Sequence, residues 1–164
     1  MKQKKIITKN AGQTQKLGEK LAKEVFALRR FAPQDKNNKR AVIFGLQGDL
    51  GSGKTTFLQG FAKGLGIKEK ILSPTFVIFK RFEIKKQKKQ FSNFYHFDCY
   101  RIQKPKEILD MGFKEIILNP KNIVAIEWPE KIKKFLPKPV IIIKFKFIDK
   151  KTRELIINKF DKVF

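Results

Sequence analysis

The sequence predicts an α/β fold, a three-layer sandwich around a mixed β-sheet, and three observations carry that expectation. First, an apolar run at 41–46 leads into the glycine-rich segment GDLGSGKTT at 48–56. Phe57, Leu58, Phe61, Ala62 and Leu65 follow at helical spacing, which makes a strand–loop–helix unit. Second, two pairs of alternating segments, 76–84 with 91–97 and 140–149 with 154–158, are each joined by a polar stretch and read as antiparallel hairpins. Third, 123–126 is a short apolar run ending in Glu127-Trp128-Pro129, the pattern of another buried strand. Two hairpins cannot belong to a wholly parallel sheet, so the sheet is expected to be mixed.

The elements follow in order. Leu17, Leu21, Val25 and Leu28 share one helical face behind a capping Asn10, which gives an N-terminal helix. Residues 30–40, with Pro33, Asp35 and Asn37-Asn38, read as an exposed connection into the strand at Ala41. Gly64 and Gly66 stop the helix after the glycine-rich loop. Phe76, Ile78, Phe82 and Ile84 alternate along the first hairpin, whose loop carries the lysine run 85–89. Pro105 opens a short helix containing Ile108, Leu109 and Met111, and Pro129 prevents simple continuation of the strand before it. The second hairpin turns at 150–153.

At 164 residues and 41% apolar composition, the chain fits a single domain over 1–164. Such a domain buries roughly two-thirds of its unfolded surface. Cys99 is the single cysteine and has no intramolecular partner. The start, MKQKKIITKN, is too short in apolar residues for a signal peptide, and no segment approaches the roughly 18 apolar residues of a membrane span. The expectation is a soluble, cytoplasmic protein. The formal charge of +23 suits contact with nucleic acid. It equally suits a compositional bias, because lysine far outnumbers arginine, and isoleucine and phenylalanine are abundant as well.

The loop matches G-x-x-x-x-G-K-[ST], and each residue has a physical task there. Gly48, Gly51 and Gly53 let successive amides turn inward around an anion. The helix beginning near Lys54 adds its unpaired N-terminal donors. The Lys54 ammonium reaches the outer phosphates as a mobile charge, Thr55 offers a hydroxyl to magnesium, and Thr56 adds a second hydroxyl. ATP or GTP binding is the chemistry this pattern implies.

A magnesium nucleotide needs an acidic partner at the end of a neighbouring strand. Glu127 fills that place, or else serves as a salt-bridge partner. Asp98, ending the returning hairpin strand in HFDCYR, either orients water or binds magnesium through an outer-shell water, or else pairs with Arg101 or caps the following turn. Ser73-Pro74-Thr75 is either a sensor of the outer phosphate or a turn around proline. His96 reads as a packed strand residue rather than a base, and Cys99 as an inert core residue. Trp128 either packs internally or meets a partner.

Taken together, QTQKLGEKLAK, GDLGSGKTTF, SPTF, FYHFDCYR, EILDMGF and IVAIEWPE resemble, in the same order, the TsaE family, formerly YjeE, of P-loop ATPases. The resemblance implies a P-loop NTPase-like fold and a preference for ATP with magnesium. It implies that Thr14 lies near the nucleotide, that Gly51, Ser52, Gly53, Lys54, Thr55 and Thr56 cradle the phosphates, and that Thr55 and Glu127 hold magnesium. Asp98 becomes a hydrolysis or switch residue, and Arg153 a late arginine near ATP. The family's role implies an accessory ATPase that works with the TsaD–TsaB pair in forming threonylcarbamoyladenosine in tRNA. A small-molecule P-loop kinase is the alternative enzyme, although the chain has few arginines for a lid. A non-enzymatic RNA-binding module would instead need the hairpin phenylalanines exposed for base stacking.

Overall fold

A computed structural model describes residues 3–31, 40–73, 78–85 and 90–158. Of the connection expected at 30–40, residues 30 and 31 belong to the first helix and 32–39 lie outside the described residues, as do Pro74 and Thr75 of the proposed sensor, Phe76, and the lysines at 86–89. The chain opens with a strand, β1 (Gln3–Thr8), which the reading above does not contain. QKKIIT holds only two adjacent apolar residues, and its pairing with the C-terminal strand, not its own pattern, makes it a strand. Helix α1 (Ala11–Phe31) follows, with Asn10 Oδ1 accepting the Gln13 amide at 2.9 Å as the expected cap.

Strand β2 (Val42–Gln47) leads through the glycine-rich loop to α2 (Lys54–Gly64). The first hairpin is β3 (Phe79–Glu83) with β4 (Asn93–Asp98). The helix expected at Pro105 is two elements. A 3-10 helix at Pro105–Met111 ends at Gly112, whose φ of 73° suits a glycine, and α3 (Phe113–Leu118) begins there. Strand β5 (Asn122–Glu127), a 3-10 helix at Pro129–Phe135, β6 (Ile141–Phe147) and β7 (Arg153–Asn158) complete the described chain.

All seven strands form one sheet in the order β1-β7-β6-β2-β5-β4-β3. Its four central strands, β6, β2, β5 and β4, are parallel, and the pairs β3–β4, β6–β7 and β7–β1 are antiparallel. Parallel strands send their C-terminal ends to one edge of the sheet, where ligands gather in open α/β folds. Register brings Leu46 of β2, Glu127 of β5 and Asp98 of β4 side by side along that edge.

Each face of the sheet has its own core. Leu21, Val25, Phe57 and Phe61 of α1 and α2 pack on Phe44, Phe94, Ile143 and Leu155. On the opposite face Phe97, Ile126, Phe113 and Ile132 pack together, supplying the third layer from α3 and the 3-10 helices. Phe61 meets Phe44 and Phe94 with ring centroids 5.1 and 5.7 Å away. A buried side chain of this size contributes about 1.5–3 kcal/mol, so this stack fixes α2, and with it the loop, against β2 and β4.

The two helices approach closely because both carry glycine at the crossing. A Cβ at Gly18 would stand 2.2 Å from the Phe57 carbonyl oxygen, and one at Gly60 would stand 1.9 Å from that of Gln15. Gly60→Ala should therefore destabilise the protein by about 1–3 kcal/mol through overpacking, read as a fall of several degrees in Tm. An unchanged melting curve would contradict this contact.

Candidate functional site

The loop leaving β2 turns on three glycines in the left-handed region, Gly48 at φ 144°, Gly51 at 73° and Gly53 at 99°. At Gly48 a Cβ would also lie 2.5 Å from the Phe145 carbonyl oxygen. Gly53 is the N-cap of α2, which therefore begins at Lys54 and aims its free amides into the loop. Ser52 Oγ is buried inside the loop without a hydrogen-bond partner. A buried hydroxyl left unpaired is costly, and an anion seated in the loop would satisfy it.

Lys54 differs from the mobile charge expected. Its side chain is buried, and Nζ donates to the carbonyl oxygens of Gly48 at 2.6 Å and Asp49 at 2.9 Å. The same ammonium lies 4.6 Å from the centroid of the Trp128 ring. Burial pushes its pKa down, while the carboxylates of Glu127, Asp98, Asp49 and Glu130 pull it back up. Trp128 is half-buried at the cavity wall, where it also packs against Tyr100 at 5.2 Å, and its φ of 59° makes it the single non-glycine residue in the left-handed region among the described residues.

Glu127 ends β5 almost fully buried. Its Oε1 accepts the Thr55 hydroxyl at 3.3 Å and faces His96 Nε2 at 2.9 Å. His96 is itself buried, so the packing role expected of it is joined by a polar one, orienting Glu127. Strand alternation places His96 and Asp98 on the same face of β4, while the meeting with Glu127 follows from the register of β4 on β5. Among the described residues no group of three or more His, Cys, Asp or Glu side chains could hold a metal. One hydroxyl beside one carboxylate nevertheless fits magnesium, which keeps several waters and takes its remaining oxygens from substrate phosphates.

Asp98 Oδ2 accepts the Ser73 hydroxyl at 2.5 Å, and Oδ1 accepts the Tyr100 amide at 3.0 Å. The capping role is realised, and Ser73 is tied to the carboxylate proposed for water. Cys99, buried next to it, has its thiol pushed up to about 12 by burial and then by the charge of Asp98. It is a core residue and not a nucleophile.

A cavity of about 1200 Å³ opens at this sheet edge, lined by Thr14, Gly51, Gly53, Lys54, Thr55, Thr56, Asp98, Glu127 and Arg153. Ser52 sits behind that lining. Thr14 is fixed by Thr8, their hydroxyl oxygens 2.8 Å apart, so the unforeseen β1 helps to shape the site. Arg153 clasps the loop: it donates to the Gly51 carbonyl at 3.1 Å and to that of Asp149 at 2.6 Å, and it stacks 4.5 Å from the Phe147 centroid. Arg153 Nε is buried and unpaired. Lys9, Asn10, Tyr100, Lys150 and Lys151 also line the cavity and were not foreseen.

The model of the family described as "Threonylcarbamoyl adenosine biosynthesis protein TsaE" matches residues 8–155. A tRNA threonylcarbamoyladenosine biosynthesis protein TsaE from Rickettsia prowazekii is 39% identical over 124 residues, covering 75% of this chain and 81% of the relative. Its counterpart from Haemophilus influenzae is 34% identical over 113 residues, 69% of this chain and 68% of the relative. Among solved structures, "Crystal structure of Bacillus subtilus YdiB" superposes with a TM-score of 0.68 at 29% identity, covering 95% of this chain and 84% of that one.

If His96 orients Glu127, His96→Phe should cost about 1–3 kcal/mol by leaving a buried carboxylate oxygen short of a partner. His96→Gln, which keeps a donor, should recover most of that loss. Urea unfolding of the three proteins decides it, and equal stabilities for Phe and Gln would return His96 to simple packing.

Proposed function

The chain belongs to the TsaE family of tRNA threonylcarbamoyladenosine biosynthesis proteins, and from that premise we propose that it binds and hydrolyses ATP as an accessory to the TsaD–TsaB pair. The observation that carries the ATPase reading is the convergence of Lys54, Thr55 and Glu127 on one cavity beneath a loop whose Ser52 hydroxyl is unpaired. Lys54 is seated by two carbonyls with its charge directed at the loop, so it meets the outer phosphates without first being ordered. Thr55 and Glu127 would hold magnesium, which neutralises charge building on the phosphate oxygens during transfer. Asp98 stands at the next strand end, where it can orient an attacking water while Ser73 and Tyr100 fix its carboxylate. Thr14 and Arg153 both line the cavity on its β1–β7 side, where Thr8 pairs with Arg153 in register and meets the Thr14 hydroxyl.

No helix among the described residues is long and apolar enough to cross a membrane. We place the protein in the cytoplasm, with tRNA as the substrate of the complex it serves. The kinase alternative needs an arginine-bearing lid over the transferring phosphate. Arg101 and Arg153 are the arginines lining the cavity, and Arg153 is engaged in holding the loop.

Three outcomes follow for purified protein. Lys54→Ala should lose most affinity for a fluorescent ATP analogue, and unchanged binding would refute the phosphate-loop assignment. Glu127→Gln should keep the fold while shifting the magnesium dependence of ATP turnover to higher concentration, because the amide loses the charge that holds a hard cation. Without a supplied arginine finger, turnover of the isolated protein should be slow, roughly 10⁻⁴ to 10⁻³ per second. Added TsaD–TsaB should raise it; fast transfer to a small acceptor, with no response to those partners, would favour the kinase.

A further inference from the structure

The antiparallel wing β1–β7–β6 has one face in the core and one outside it. Ile6, Leu155, Ile157, Ile143 and Phe145 pack on the α1–α2 side. Alternation puts Lys5, Ile7, Glu154, Ile156, Lys144 and Lys146 on the other. The helices that cover this second face pack on β2, β4 and β5, and among the described residues no member of β1, β6 or β7 joins that cluster.

Register arranges the uncovered face in rows. Lys5, Ile156 and Lys144 stand abreast, and Ile7, Glu154 and Lys146 form the next row. The buried Glu154 carboxylate accepts from Lys5 at 2.6 Å and from Lys146 at 3.5 Å, yet those lysine side chains remain 64% and 60% exposed. One carboxylate therefore fixes two ammonium heads over the face while each keeps donors for solvent or ligand. Lys144 is exposed beside them. The start of the 3-10 helix at Pro129–Phe135 abuts the same face, since a Cβ at Gly45 would meet both Pro129 and Ile142.

Compositional bias scatters lysine without regard to partners, whereas here lysines at alternate strand positions stand on a sheet face that joins neither core cluster among the described residues. Of the hairpin phenylalanines, Phe82, Phe94, Phe97 and Phe145 are buried in the cores; Phe147 is exposed, but alternation puts it on the side of Phe145 with Arg153 over its ring, so recognition on the outer face is by charge.

We propose that the outer face of the β1–β7–β6 wing binds the phosphate backbone of RNA. Choosing RNA among polyanions rests on the chain's membership of a tRNA-modification family. Contacts of this kind ignore base sequence, position the nucleic acid and weaken steeply with salt.

The test is fluorescence anisotropy of a fluorescein-labelled tRNA transcript with the full-length protein across a salt series. A face variant carries Lys5→Gln, Lys144→Gln and Lys146→Gln. A control variant carries Lys104→Gln, Lys106→Gln and Lys114→Gln, exposed lysines near the other end of the sheet. Lys144→Glu alone leaves the Glu154 pairs in place and guards against misfolding of the triple variant. The face variant should bind about tenfold more weakly, with the slope of log affinity against log salt shallower by about 2 to 3, as loss of three phosphate contacts requires. Lys144→Glu should weaken binding in the same direction, and the control should stay near wild type. Equal losses in face and control variants would assign binding to overall charge and overturn the proposal, as would failure of the wild type to bind. Affinity for the fluorescent ATP analogue, read in the same samples, should be unchanged throughout, so failure here is separable from failure of the ATPase reading.

Discussion

Two opposite charges buried in one pocket set the terms for the rest of this structure. Glu127 and Lys54 are 3% and 4% exposed, and a charge so placed is tolerable only when other groups satisfy it. Glu127 has the Thr55 hydroxyl and the His96 ring, Lys54 has two loop carbonyls and the Trp128 face, and each lies within the other's field. These partners come from β4, β5, the loop and α2. The arrangement therefore exists only if three adjacent strand ends align and α2 is pressed onto the sheet.

The hydrophobic cores supply that alignment. The stack of Phe57, Phe61, Phe44 and Phe94 holds α2 over β2 and β4, and the glycines at the α1–α2 crossing let α1 back it closely. The site is then pre-ordered: Arg153 pins the loop from β7, and Asp98 is fixed by Ser73 and Tyr100 before any ligand arrives. Preorganised groups of this kind need no rearrangement at the moment of reaction.

Much of this was legible in the chain because the informative patterns are local. The loop, its strand and its helix are contiguous, and both hairpins and the strand ending at Glu127 announce themselves by alternation. What escaped depends on contacts between distant segments. β1 becomes a strand by pairing with β7, 145 or more residues away in sequence at every pair in the register, and that pairing brings Thr8 to Thr14. His96 has the sequence signature of a core residue, and only the register of β4 on β5 reveals that its ring meets Glu127. The seating of Lys54 likewise follows from loop geometry that spacing alone does not encode. Charge was the least informative feature until the sheet showed which lysines stand together.

The central claim is that the loop around Lys54 is a seat for nucleotide phosphates, and phosphorus NMR of magnesium ATP titrated with the protein reads those atoms directly. Saturable shift and broadening of the β and γ resonances is the predicted result. Phosphorus resonances that stay unperturbed at protein concentrations where the adenine protons respond, or where neither responds, would contradict it.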